Sequence, residues 1–309
     1  MKLDMNRIDP ELKDGEVECN ALDIHRDNIA RVRELVGARP RPVFRLPLKV
    51  SEQSIASADL STRVLIYQKS DRPNQPCLLW VHGGGYVLGD ADDNRAKQFA
   101  YDLDITVVSV DYRLAPEYPF PAGLNDCWQA LLWLRDSAES LGVDPTNLAI
   151  GGASAGAGLA AGLAIKARDE GGPALKLQLL LYPMIDNLHA TASGQIEDHP
   201  VWKRSTSFAA WEMYLEGEPG ERASPYAAAS RADAVNDLPP AYMTVGTEDL
   251  FFDEDVDYAL RLNAAGVPCT LAVWPGLYHG AESFFPKAKV SQRLASGVKG
   301  ALIDAFGLG

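Results

Sequence analysis

From about Ser51 onward, short apolar runs alternate with longer stretches whose apolar residues recur at helical spacing. The runs are Thr62–Tyr67, Cys77–His82, Ile105–Asp111, Leu148–Gly151, Leu177–Tyr182, Ala241–Gly246 and Cys269–Trp274, most of them bounded by Gly, Pro or Asp. Each reads as a β-strand. Helical stretches fall between them at about 91–103, 124–141, 155–169, 253–265 and 286–306. Strands alternating with helices predict an α/β fold with a mostly parallel central sheet covered on both faces. The ligand site of such a sheet lies at the carboxyl ends of its strands.

Two stretches break this rhythm. Residues 1–50 begin with a charged segment (Glu11 to Glu16), continue with Ile24, Ile29, Val32, Leu35 and Val36 at roughly helical spacing between Ala21 and Val36, and end in the breaker Ala38–Val43. One or two helices and a proline-stiffened linker are expected there. Residues 185–230 are too long for an ordinary connection and hold an amphipathic helix at Ser205–Leu215, with Phe208, Trp211 and Leu215 on one stripe. The expected organisation is therefore an N-terminal helical cap at 1–50 and an α/β catalytic domain at 51–309, with 185–230 as an inserted cap segment. The two cap pieces would form a lid over the strand ends.

Composition acts mainly by exclusion. With 309 residues, 47% of them hydrophobic, one large domain suffices. The formal charge of −13 repels phosphate backbones and anionic membranes, so nucleic acid is not an expected partner. The amino terminus lacks an apolar signal core and no stretch approaches the ~18 apolar residues of a membrane span, which predicts a cytoplasmic protein without a span. Cys19, Cys77, Cys127 and Cys269 are far apart and lack metal-ligand spacing. They are expected to be free thiols, with Cys77, Cys127 and Cys269 buried in apolar contexts.

The candidate chemistry begins at Asn147–Gly162, where an apolar strand, a tight turn and a small-residue helix follow one another. The turn, Gly152-Ala153-Ser154-Ala155-Gly156, has the form G-x-S-x-G. A serine at the tip of a sharp strand-to-helix turn sits in strained backbone, and the flanking glycines remove collisions with strand and helix. Ser154 would stand at a helix N-terminus, where free N–H groups favour developing negative charge. Upstream, the strand ending at His82 runs into Gly83-Gly84-Gly85-Tyr86. The N–H groups of Gly83 and Gly84, with that of Ala155, would supply the donors a tetrahedral oxyanion needs, each worth roughly 3–4 kcal/mol. No G-K-[ST] follows these glycines, which argues against a phosphate cradle.

A serine nucleophile requires a base and a group that holds the base in the right tautomer. Of the five histidines, His25, His189 and His199 read as surface or lid residues, and His82 as a structural anchor of the glycine loop. His279 follows the strand Cys269–Trp274 and is the candidate base. Asp249, in the loop after Ala241–Gly246, is the candidate acid, with Glu248 as its alternative. Asp253, Glu254 and Asp255 read as the opening turn of the next helix, placed for its dipole. The chain order Ser154, Asp249, His279 is that of the α/β-hydrolases.

With these residues in place, the chain resembles the hormone-sensitive-lipase-like branch of the α/β-hydrolases, a family of microbial esterases and lipases. The resemblance runs from about residue 60 to the end. It rests on His82–Gly85, Asp111-Tyr-Arg-Leu-Ala-Pro-Glu117 with Phe120-Pro-Ala122, Gly152–Gly156, Ser224-Pro225, Leu238-Pro-Pro240 and Asp249-x-x-x-Asp253-Glu254. It implies Ser154 as nucleophile, His279 as base, Asp249 as orienter, and Gly83, Gly84 and Ala155 as oxyanion donors, beneath an N-terminal cap. Two positions depart from the family pattern: Ala153 where many members carry Asp or Thr, and Leu250 where a proline is common. Arg113 and Glu117 are expected to form a salt bridge beside the oxyanion loop.

The expected activity is hydrolysis of short-to-medium acyl or aryl esters, with no metal or organic cofactor and a small-molecule ester as partner. Tyr86, Trp202, Phe208 and Trp211 are the candidate substrate-binding aromatics. An amidase or arylformamidase with the same triad is one alternative, and a non-catalytic small-molecule receptor on the same fold is the other. The plant gibberellin receptors, non-catalytic binders on this fold, lack the histidine that is present here as His279. The strand Cys269–Trp274, if it lies at the sheet edge, offers a surface for homodimer pairing.

Overall fold

The computed structural model describes residues 2–13, 23–38, 45–56, 61–217, 220 and 222–309. Among them one sheet holds β1 (Lys49–Ala56), β2 (Ser61–Gln68), β3 (Gln75–Val81), β4 (Thr106–Asp111), β5 (Val143–Ala153), β6 (Gln178–Leu181), β7 (Ala241–Gly246) and β8 (Cys269–Trp274). Their order is β1-β2-β4-β3-β5-β6-β7-β8. β2 runs antiparallel to both its neighbours, and from β4 to β8 every pairing is parallel. The helices are α1 (Ile29–Gly37), α2 (Asn94–Leu103), α3 (Ala122–Asp136), α4 (Ala138–Leu141), α5 (Ala155–Asp169), α6 (Arg204–Leu215), α7 (Phe252–Ala264), α8 (Ala281–Phe284) and α9 (Lys289–Phe306).

The central strands are apolar throughout because helices cover both faces: every residue of β3, β6 and β7 is buried. β1 was not expected. Its sequence, KVSEQSIA, is polar at most positions because the strand sits at the sheet edge and buries only Ile55. The helix expected at 286–306 is α9, which begins at Lys289; the short α8 precedes it, and Pro286, which lacks the N–H that would continue α8, lies between them. Cys77 and Cys127 are buried free thiols, whereas Cys269 is only half-buried because β8 is the opposite edge of the sheet. Cys19, the expected helix start at Ala21 and most of the segment 38–43 lie outside the described residues.

The N-terminal residues do not stand apart from the core. Leu3, Ile8, Leu12, Ile24, Ile29 and Val32 are buried in it. Arg7 pairs with Glu248 at 3.0 Å, and the Asp9 N–H donates to the Gly276 carbonyl at 3.1 Å. From α1, Arg33 donates to the carbonyls of Val87 and Ala115 and pairs with Glu117 at 2.8 Å. This segment therefore contacts the loops that carry the glycines, the candidate acid and the candidate base.

The Arg33 contacts correct one expectation. Arg113 and Glu117 do not pair with each other: Arg113 forms a forked pair with buried Asp126 on α3, at 2.8 Å, and Glu117 takes Arg33. A guanidinium offers a planar fork that matches a buried carboxylate better than it matches an exposed glutamate four residues along.

Candidate active site

Four loops meet at the carboxyl ends of the parallel strands β3, β5, β7 and β8. β5 ends at Ala153, and Ser154 follows with φ 57° and ψ −122°, a conformation side chains rarely adopt, before α5 begins at Ala155. The turn is this tight because the chain packs against itself. A Cβ on Gly156 would overlap the carbonyl oxygens of Val81 and His82, so only hydrogen fits there. Three bonds hold the strained residue: its N–H donates to the Leu181 carbonyl at 2.9 Å, and its own carbonyl accepts from Gly158 and Met184, each at 3.0 Å.

His279 and Asp249 converge on this serine. The imidazole Nε2 lies 2.9 Å from Ser154 Oγ, and Nδ1 lies 2.9 Å from Asp249 Oδ2 and 3.1 Å from Oδ1. All three side chains are buried. With Nδ1–H donating to the carboxylate, the bare Nε2 faces the hydroxyl. Asp249 Oδ1 also accepts the Phe251 N–H at 3.0 Å, which fixes the carboxylate plane. Glu248, the alternative acid, points elsewhere, onto Arg7 and Thr247.

The glycine loop lies beside the serine. A Cβ on Gly83 would stand 3.4 Å from Ser154 Cβ and 2.8 Å from the Ala153 carbonyl. Gly84, at φ 119°, turns the chain into a bend whose carbonyl accepts from Val87 and Leu88. His82 anchors the loop as expected: its ring stacks on Tyr112 at 4.3 Å, and Nδ1 is 2.8 Å from the Gly83 carbonyl. Burial pushes its pKa down.

The aromatic candidates occupy different places. Tyr86 is buried, donates to the Met184 carbonyl at 2.6 Å and stacks on Tyr214 at 4.0 Å. Trp211 packs beside it at 5.1 Å, so these rings join the glycine loop to α6 within the core. The Trp202 ring lies directly on Gly85. Phe208 is half-buried, with the Arg204 guanidinium over its ring at 4.3 Å and His189 against its edge.

His189 and His199 are not surface residues: both are buried, within the inserted segment. His189 is bonded on each side: Nδ1 lies 3.1 Å from Glu254 Oε1 and Nε2 lies 2.7 Å from Ser207 Oγ on α6. Glu254 also accepts from Thr191 at 2.6 Å, while Asp253 and Ser193 exchange bonds of 2.8 and 3.0 Å. The acidic opening of α7 is thus more than a response to the helix dipole, since two of its carboxylates pin the 185–230 insertion to the element that follows Asp249. Asp255, the third, is buried with no hydrogen-bond partner among the described residues, and burial holds its pKa well above the usual carboxylate range. The neighbouring Asp249 and Glu254 carboxylates push it in the same direction.

Burial also lowers the pKa of His199 to about 4. The unfolded imidazole takes a proton near pH 6.5 and the folded one does not, so stability is full above pH 6.5 and falls as pH drops toward 4. Over that window His199 should account for about 3 kcal/mol of lost stability. Urea unfolding of the wild type and of His199→Gln at pH 7 and pH 4.5 measures it: the wild type should weaken more on acidification. Parallel losses in the two proteins would contradict the assignment.

Known proteins agree with this architecture. A model of the alpha/beta hydrolase fold family matches residues 78–283. Esterase LipI of Mycobacterium tuberculosis is 37% identical over 267 residues, 82% of this chain and 81% of its own. Carboxylesterase NlhH of the same organism is 36% identical over 269 residues, with 82% and 81% covered. Among solved structures, a bacterial heroin esterase superposes with a TM-score of 0.91 at 35% identity, covering 97% of this chain and 98% of its own. The chain belongs to the α/β-hydrolase fold family, in its hormone-sensitive-lipase-like branch. Within that family it is a carboxylic ester hydrolase.

No helix among the described residues is long and apolar enough to cross a membrane. Among them no cluster of three His, Cys, Asp or Glu side chains is arranged to hold a metal ion.

Proposed function

We propose that the protein hydrolyses small carboxylic esters through an acyl-enzyme on Ser154. The reading is carried by the hydrogen-bonded chain from Ser154 Oγ through the imidazole of His279 to Asp249, each link 2.9 Å long. Nε2 of His279 takes the hydroxyl proton as Ser154 Oγ attacks the ester carbonyl. The carbonyl oxygen becomes an oxyanion held by the N–H groups of Gly83, Gly84 and Ala155. The tetrahedral adduct collapses, His279 gives its proton to the departing alkoxide, and the alcohol leaves an acyl-serine. Water then gives a proton to His279 and attacks the same carbonyl; the acid departs and the serine recovers its hydrogen. Asp249 remains ionised throughout and keeps the imidazole proton on Nδ1.

Trp202, on Gly85, and Phe208 would face the substrate, with Tyr86 and Trp211 backing the wall from the core. This apolar lining supports short-to-medium acyl or aryl esters as the substrate class. A series of p-nitrophenyl esters of increasing acyl length tests it, with matched anilides run alongside. The expected profile peaks at short to medium chains, with anilides turned over far more slowly. Faster anilide than ester turnover would instead make the protein an amidase.

A further inference from the structure

We infer that His199, supplied by the inserted cap segment, is a positioning residue that holds the loops of Asp249 and His279 in register and seats Trp202 on the oxyanion loop. The inference rests on the triad assignment above and concerns a residue the chemistry itself does not touch.

The geometry around the ring carries the argument. Nδ1 accepts two backbone N–H groups of its own turn, from Val201 at 3.1 Å and Trp202 at 3.0 Å. A neutral imidazole has one donor and one acceptor nitrogen, so this arrangement puts the proton on Nε2. Nε2 faces the main chain of Glu248, the residue before the catalytic acid. The same nitrogen lies 3.3 Å from the backbone nitrogen of His279. The ring also meets the edge of Tyr278 at 5.9 Å. One buried side chain from the cap therefore touches the main chain of both catalytic loops.

Its other side reaches the oxyanion loop. The two N–H groups it receives fix the turn that delivers Trp202, whose ring lies on Gly85. Next to it, Asp198 accepts the backbone N–H of Leu3 at 2.7 Å, so the N-terminal segment is tied to the same turn. Displacing this knot would shift the carboxylate, the imidazole and the glycine loop relative to one another. Errors of about 1 Å in such a constellation cost on the order of 100-fold in rate.

Three variants test the inference: His199→Ala, His199→Asn and His199→Gln. Asn places an acceptor where Nδ1 stands and caps the Val201–Trp202 turn, but it cannot reach the position of Nε2 between the two loops. Gln carries an N–H donor out to the position of Nε2. Active sites are counted with an organophosphonate, and kcat and KM for a p-nitrophenyl ester are expressed per titrated site, which removes losses due to misfolding. The expected result is a fall in kcat of about 10- to 100-fold for His199→Ala with KM changed less than about threefold. Gln should recover most of that rate and Asn little of it. Recovery by Asn but not Gln would make His199 a local turn cap and overturn the inference, as would a kcat within about twofold of wild type in all three variants. If the Ala variant does not fold, the Asn and Gln pair still decides. Ser154→Ala measured in parallel separates this inference from the triad assignment. Surviving activity there overturns the triad, whereas an inert Ser154→Ala beside fully active His199 variants overturns only the role of His199.

Discussion

Replacing Ser154 with alanine lowers kcat by roughly 10⁵- to 10⁶-fold, the scale on which removal of a serine nucleophile acts when base and oxyanion donors are left in place. The fold should barely respond. The substitution removes one hydrogen bond, Oγ to His279, worth about 1 kcal/mol. Alanine keeps the strained backbone at φ 57°. Ser154→Gly should be just as inactive but more stable than Ser154→Ala, by about 1 kcal/mol or more, because glycine adopts that conformation without penalty. Ester turnover and urea unfolding on the two variants measure both effects. Retained turnover in either would remove Ser154 from the mechanism, and a glycine variant less stable than the alanine one would remove the strain.

Asp249→Asn should lower kcat by about 10⁴-fold although it changes a single atom. The Phe251 N–H holds the oxygen at the Oδ1 position, so the amide nitrogen of asparagine falls where Oδ2 stood, 2.9 Å from Nδ1 of His279. An amide there donates, Nδ1 must accept, and the imidazole proton moves to Nε2. A protonated Nε2 cannot take the proton of Ser154. Steady-state kinetics give the size of the loss, and a crystal structure with unchanged side-chain positions would show that tautomer rather than displacement is responsible. A loss smaller than about tenfold would mean that Asp249 does not set the tautomer.

The sheet was legible where it is buried on both faces. β3, β6, β7 and the inner half of β5 are continuous apolar runs, and the loops after them could be placed by counting strand ends. β1 was not legible because an edge strand facing solvent keeps no apolar pattern, and Ile55 alone marks it. The convergence of Ser154, Asp249 and His279 followed from spacing plus the rule that ligands gather at the carboxyl ends of parallel strands.

The residues around the triad were harder to read because their partners lie far along the chain. His189 meets Glu254 across 65 positions, and Arg33 meets Glu117 across 84. Local sequence offers Glu117 a cation at Arg113, and only the docking of α1 shows why that pairing gives way. The signal that was present, and underused, is two histidines inside an insertion expected to cover the strand ends. Imidazoles there must either reach solvent or find partners, and both found partners.

The separation of the nucleophile from its base along the polypeptide, 125 positions, has a consequence for biosynthesis. A ribosome that has passed β6 and Met184 has already made the serine elbow with its three anchoring bonds and the glycine loop against which an oxyanion would rest. That intermediate is chemically silent, because the imidazole that takes the hydroxyl proton is translated 125 positions after the serine. Esterase activity therefore switches on only after His279 has been made, and a truncated product ending before β8 cannot attack esters however well its first strands have folded.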